Sequence, residues 1–449
     1  MKTFIAILAG KLVKLFCKIV RRGGTAKPGK IALKICPNLL EKLGRGVKCI
    51  VVTGSNGKTT SCRIVEKGLE EAGVDYFANR SGANLIEGIA TDFIVHSSLS
   101  GKCSKSWAVL ETDEAASREV CRQLQPAVIF VTNIFVDQVD RFGGVEFTRD
   151  CILTAAKNAP GAVLCLNADD SVSASIARLA DNKVKFYGLE SSAVEGRSPG
   201  GYVDVENCIF CGAKLGYEYR TFSHLGGFKC PGCGWERPKA GYSIGQIVKE
   251  TLAGTEVLCN GEKLSVNLPA MYNIYNAAGT VAALEAAGIA HATAFKAVAE
   301  FEGSFGRMEK LPLGKSGATM ILVKNGAGCD QVIDFLKKSE DAFVLALCIN
   351  NNISDGVDIS WIDSVDFEAL GSCKVKKIFV SGMRAEEMRA RLVRAGLEEK
   401  LETVTDVPEL ITKLNDSEEP VIILPTYTAM MSTRKEIVGR FGGTQFWDL

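Results

Sequence analysis

The stretch VVTGSNGKTTS, from Val51 to Ser61, sets two glycines, a lysine and adjacent hydroxyl residues between an apolar run and a helical pattern. Gly54 and Gly57 would let the backbone close on phosphates, and the amides around Ser55, Asn56 and Thr60 would face them at a helix N-terminus. Lys58 would neutralise β- and γ-phosphates, and the Thr59 hydroxyl could ligate magnesium. The usual G-x-x-x-x-G-K-[ST] spacing is absent, because Val52 stands where the first glycine belongs. A plain strand-to-helix turn, however, needs no lysine followed by two threonines. A second constellation is Cys208 and Cys211, followed after 18 residues by Cys230 and Cys233. This is the spacing of a structural zinc ribbon, whose four thiolates leave no open position for chemistry. His224, between the pairs, reads as a loop residue. A third is Asp355 in NNNISDGVDISWID, after a buried strand. Taken by itself, its Asp-Gly pair reads as a turn.

These groups need a scaffold, and composition bounds it. The 449 residues, 47% hydrophobic and 23% charged, make an ordinary globular chain, and a net charge of +1 provides no global field for nucleic acid. Sixteen cysteines, most of them single in apolar runs, point to a reducing compartment, the cytoplasm. Three histidines leave little room for Cys–His catalysis within this chain. Local basicity sits in the segment 1–44, where Met1 to Leu40 carries nine Lys or Arg and no acid. Phe4, Ile5, Leu8, Leu12, Leu15, Phe16 and Ile19 fall on one side of a helix, with Lys11, Lys14, Lys18 and Arg22 on the other. The lysines interrupt the apolar run too often for a signal peptide or a spanning helix. Two readings stand: a helix packed on its own domain, or peripheral contact with the inner face of an anionic membrane or a lipid-linked substrate.

Short β-branched runs alternate with helical stretches, which predicts an α/β fold. KCIVVTG, SWAVLET, PAVIFVTN, GAVLCLN and KVKFYG read as strands of a doubly wound, largely parallel sheet in a domain spanning residues 45–305, interrupted by the cysteine-bearing insertion at 204–238. From 306 to 449 a second rhythm predicts a Rossmann-like α/β domain, with strands in ATMILVKN, AFVLALCIN, VKKIFVSG and PVIILPTY.

The form T-G-x-x-G-K-T-T resembles the ATP loop of the Mur ligases and folylpolyglutamate synthetases, and further motifs stand in that family's order. GANLIEG resembles its G-N segment, with Asn84 near the phosphates. VLETDE places Glu111 where the family keeps a magnesium-binding glutamate, beside Thr59. TNIFVDQVDRFG resembles N-x-x-x-D-H-x-D-x-x-G, with Gln138 in place of the histidine. MYNIYNAAGTVAA carries Asn273 and Asn276, which the resemblance assigns to adenine. GRME carries Arg307, assigned to the ATP phosphates. Two departures narrow the match: few residues precede the ATP loop, where a Mur ligase carries a nucleotide-sugar domain, and the zinc-ribbon insertion is added. With DGVDISWID and ILPTYTAMM, the chain is similar to the MurT family, the synthetase subunits of lipid II isoglutaminyl synthases. KNGAGCDQV departs from that family's K-N-P-x-G-x-N-Q.

That resemblance implies ATP-dependent amidation of the D-glutamate α-carboxyl of lipid II through an acyl phosphate, with ATP and Mg2+ at the loop and Zn2+ in the ribbon. It implies a GatD-like class I glutamine amidotransferase subunit as the source of ammonia. Asp355, with Asp358 as second choice, would serve that partner's Cys–His site as an acidic third member. Two other classes fit parts of the pattern. One is a Mur- or folate-type ligase adding an amino acid. The other is a non-catalytic ATP- and zinc-binding scaffold for nucleic acid, against which the near-neutral charge and the ribbon's few bases argue.

Overall fold

In the computed structural model, the described residues are 1–20, 24–80, 82–136, 144–195, 203–251, 254–268, 270–301, 303, 307–337, 339 and 341–443. Among them, the apolar runs read as strands pair into a nine-stranded sheet. Its order is Glu262–Val266, Gly254–Cys259, Tyr242–Thr251, Val184–Leu189, Val163–Asn167, Val128–Val131, Lys48–Thr53, Trp107–Glu111 and Tyr76–Ala78. From Tyr242–Thr251 to Tyr76–Ala78 every pairing is parallel, and the two outermost pairings are antiparallel. Alternation in Lys48–Thr53 serves both faces: Ile50 and Val52 enter one core, Cys49 and Val51 the other. A strand buried on both sides must be apolar throughout, which is why KCIVVT shows no polar alternation.

The antiparallel edge was not anticipated from sequence. Its hairpin turns at Asn260 and Gly261, both at positive φ (50° and 87°), as a two-residue hairpin turn requires.

A second, six-stranded sheet has the order Arg307–Leu311, Ala318–Ile321, Val421–Pro425, Phe343–Cys348, Val375–Ser381 and Leu401–Thr403, antiparallel only in its first pair. One face, with Ala346 and Ile423, packs under Leu410 and Ile437. The other face, with Leu345 and Leu347, is continuous with the core around helix Met271–Ala286.

The N-terminal segment forms helices Lys2–Ile19 and Lys27–Ile35, which pack together and against helix Ile86–Val95. The closest approaches are made at glycines. A Cβ on Gly10 would lie 2.8 Å from the Ile94 side chain, and one on Gly29 would lie 1.9 Å from the Glu87 carbonyl.

The cysteine insertion folds around the hairpin of Gly216–Phe222 and Leu225–Lys229, with Leu215, Phe228 and Trp235 forming a small core on Ala174. Buried charges fasten it to the large sheet. Arg237 donates to Asp169 at 2.7 Å, and Tyr275 donates to the same carboxylate at 2.5 Å. Burial raises the pKa of the Asp169 carboxyl, and Arg237 and Tyr275 pull it back down. His224 lies in the turn of that hairpin, a loop position as expected, and is not among the clustered cysteines. It is fully buried, with Nε2 3.4 Å from Asp170 and its ring 4.8 Å from that of Phe135.

Candidate active site

The loop after strand Lys48–Thr53 runs directly into helix Lys58–Glu71. Gly54 and Gly57 sit at φ 119° and 85°, and both are hemmed in. A Cβ on Gly54 would lie 2.6 Å from the Asn133 carbonyl, and one on Gly57 would lie 2.3 Å from Asn276 Oδ1. Only glycine combines that backbone with that proximity.

The loop is pinned from beneath by the segment Thr132–Phe135, which continues the strand Val128–Val131. Ser55 N donates to the Asn133 carbonyl at 2.9 Å, and Phe135 N donates to Ser55 Oγ at 2.9 Å. Asn56 N donates to Asn133 Oδ1 at 2.9 Å, and Asn133 Nδ2 returns a bond to the Asn56 carbonyl at 3.1 Å. Lys58 Nζ is held over the loop by the carbonyls of Gly54 and Ser55 and by Glu114 Oε1 at 2.8 Å. A lysine parked on carbonyls and a carboxylate is a cation that can transfer to an incoming phosphate without crossing solvent.

These groups line a cavity of about 460 Å³ between the two sheets. Ser55, Asn56, Gly57, Lys58, Thr59 and Thr60 form one wall, with Asn84, Glu111 and Asn273 around them. Asn276 stands one helical turn beyond Asn273, and its Nδ2 donates to Asn273 Oδ1 at 3.3 Å. Glu111 ends strand Trp107–Glu111, and Asn79 fixes its backbone through bonds of 2.7 and 2.8 Å. Thr59 and Glu111 thus bring two oxygen donors to the loop's mouth, a set suited to a hard divalent cation. The Arg307 side chain and Gln138 lie outside the described residues.

The opposite wall comes from the second sheet. Lys324 Nζ donates to the Ser55 carbonyl at 2.9 Å, and Asn325 Nδ2 donates to Asn56 Oδ1 at 3.2 Å. Asn325 also caps helix Gly326–Leu336. Glu114, Asn133, Lys324 and Asn325 were not singled out from sequence. The last two stand in KNGAGCDQV, where the departure from the family pattern marks the segment but not its lysine.

Asp355 reaches this wall as well. It is 7% exposed, and its carboxylate accepts from Thr428 N and Thr428 Oγ1, both at 2.6 Å, and from Asn352 N at 2.9 Å. It therefore clamps its loop to the start of helix Tyr427–Phe441. Asp358, by contrast, is exposed and bonds Ser360.

The sulfurs of Cys208, Cys211, Cys230 and Cys233 all lie within 4.8 Å of one another, with Cys208–Cys233 at 3.6 Å and Cys211–Cys230 at 3.4 Å. Tetrahedral thiolates around zinc stand ~3.8 Å apart, so the cluster has the size of such a site. The amide of Cys233 points at Cys230 Sγ and lowers that thiol's pKa to about 6, whereas Cys208 and Cys211 are pushed up, so without a cation the four thiols do not ionise together.

A parallel sheet with a T-G-x-x-G-K-T-T loop at its switch point, closed by a second α/β sheet across a nucleotide-sized cavity, defines a Mur ligase-type, ATP-dependent ligase. Residues 52–205 match the Mur ligase middle domain and residues 322–430 match the MurT ligase C-terminal domain. The chain is 33% identical over 444 residues, covering 98% of both chains, to the MurT subunit of the glutamine-hydrolysing lipid II isoglutaminyl synthase of Streptococcus pneumoniae. It is 30% identical over 446 residues, 99% of this chain and 100% of the other, to the MurT subunit of Staphylococcus aureus. The fold is similar to that of MurF from Acinetobacter baumannii, with a TM-score of 0.67 at 15% identity, covering 91% of this chain and 80% of that one. The chain belongs to the MurT family of lipid II isoglutaminyl synthase subunits.

Proposed function

We propose that the chain is the synthetase subunit that converts the D-glutamate α-carboxyl of lipid II to its amide, using ATP and ammonia. The full-length similarity to the pneumococcal subunit carries this reading, and the cavity lined by the loop supplies its chemistry. A carboxylate oxygen attacks the γ-phosphorus and ADP leaves. Ammonia then attacks the acyl carbon, the carbon–oxygen bond to phosphate breaks, and the nitrogen gives up a proton. Two anions meet in the first step, so its barrier is chiefly electrostatic. Lys58, moving from Glu114 to the phosphates, and the loop amides meet that charge. Thr59 and Glu111 would hold magnesium, which neutralises phosphate charge when bound. Asn273 and Asn276 would bind the base, Asn84 and Arg307 the phosphate region, and the four cysteines a structural zinc.

Ammonia would come from a GatD-like glutaminase partner, and the acceptor would be met at the cytoplasmic face of the membrane that carries it. The aspartate completing the partner's site is assigned to the Asn350–Asp363 segment. Asp355 is the first choice, but its carboxylate is committed to Thr428 and Asn352, while Asp358, the second choice, is exposed. Glutamine hydrolysis by Asp355→Asn and Asp358→Asn complexes decides between them.

The test is mass spectrometry of lipid II after incubation with the chain, a co-expressed glutaminase, ATP and glutamine. One acid-to-amide conversion is expected. Addition of an amino acid instead, or no change of mass with well-folded protein, overturns the proposal.

A further inference from the structure

An amphipathic helix on a globular domain ordinarily turns its apolar stripe to the core. Helix Lys2–Ile19 does the reverse. Its buried residues are Ala6, Ile7, Gly10 and Cys17, whereas Phe4, Leu8, Leu12, Leu15, Phe16 and Ile19 are exposed, Leu12 by 57%, Phe16 by 63% and Ile19 by 70%. At helical spacing those six fall on one stripe, opposite the packed face. The small face is required by close approach, since Gly10 meets Ile94 and the neighbouring helix's Gly29 meets the Glu87 backbone. At those two points no side chain fits, and of this helix's large apolar residues only Ile7 is buried, the rest being turned outward.

The charges around the stripe say what covers it. Lys2, Lys18, Lys27, Lys30 and Lys34 are exposed on this helix and the next, and no acidic residue precedes Glu41. A second copy seated face to face would bring lysines against lysines. Spanning is excluded because no helix among the described residues is long and apolar enough to cross a bilayer. A helix lying in the headgroup region, apolar side down and lysines against anionic lipid, satisfies both properties.

We propose that the exposed stripe of helix Lys2–Ile19, with its flanking lysines, is a docking surface for an anionic lipid bilayer. This face extends the reading of a lipid-linked acceptor and is tested without that acceptor, so that each can fail alone.

The full chain, with and without its glutaminase partner, is sedimented with vesicles of phosphatidylglycerol or of phosphatidylcholine, both free of lipid II. Binding to phosphatidylglycerol that weakens with salt and exceeds binding to phosphatidylcholine is expected. A Leu12→Asp/Phe16→Asp chain, with unchanged melting temperature because both side chains are exposed, should bind at least about tenfold more weakly. Lys18→Glu/Lys34→Glu should weaken binding to the anionic vesicles alone. The proposal is overturned if the wild-type chain does not sediment, if the Leu12/Phe16 variant binds normally, or if that variant instead loses a dimer or the partner subunit. Vesicle binding without amidation of detergent-solubilised lipid II would sink the assigned reaction and leave this surface standing.

Discussion

The two walls of the cavity are built differently. The phosphate-loop wall is one local unit of strand, loop and helix, with its amides, Lys58 and hydroxyls within a few residues of each other and pinned by Asn133 and Phe135. The C-terminal wall is assembled from Lys324, Asn325 and Asp355, with Asp355 tied to Thr428 across 73 residues of sequence. In the proposed reaction the first wall carries the chemistry. The second closes over it and depends on the packing of a separate sheet. Losses at the first wall should therefore appear in turnover, and losses at the second in affinity and stability.

The contrast is most severely tested by Lys58→Ala. The cation proposed to meet the phosphates is lost, so ATP-dependent amidation should fall by about a thousandfold, while the Glu114 carboxylate left without its partner lowers the melting temperature without unfolding the chain. Turnover within tenfold of wild type would show that the loop wall is not where the chemistry lies.

Next in size is the ribbon, which supports the loop wall through His224, Asp170 and Phe135. Cys230→Ser should lower bound zinc and cost about 3 kcal/mol of stability, read by metal analysis and thermal melting on the same sample. Zinc lost with no change in melting would detach the ribbon from this support.

A smaller effect is expected from Lys324→Ala. Its bond to the Ser55 carbonyl joins the walls, so the KM for ATP should rise about tenfold while kcat changes little. A kcat loss matching that of Lys58→Ala would erase the distinction between the walls.

The smallest effect concerns Asp330, in the helix that begins at the second wall. Burial pushes its carboxyl pKa up to about 6, while it accepts a bond from the Asp366 amide. Because the folded pKa lies above the unfolded one, its contribution is full below about pH 4 and is lost as pH rises through 6. Asp330→Asn should therefore stabilise the chain by about 1 kcal/mol at pH 8 and leave it nearly unchanged at pH 4. Denaturant midpoints at the two pH values check this, and an equal shift at both would assign the effect to packing instead of charge.

How much of this is legible in the chain differs element by element. KCIVVTG, PAVIFVTN and AFVLALCIN announce buried parallel strands because both their faces must be apolar. The edge hairpin at Asn260 and Gly261 is harder to see although its turn pair is in plain view, since its half-exposed strands carry a weaker pattern. His224 reads as a loop residue because a lone histidine between cysteine pairs says nothing about burial. Only the docking of the ribbon onto Asp170 encloses it.

Local chemistry was set by the sequence itself: the glycines, lysine and threonines of the phosphate loop, the cysteine spacing, and the existence of a basic amphipathic helix. Each of these is a short-range pattern, fixed by backbone geometry within a few residues. Tertiary structure alone decided that Lys324 meets Ser55, that Asp355 is spent on Thr428, and that the N-terminal helix shows its large apolar side to the outside. Helical periodicity tells that two faces differ but not which one meets the core. That choice fell to Gly10 and Gly29, whose missing side chains allow a backbone approach that no sequence window contains.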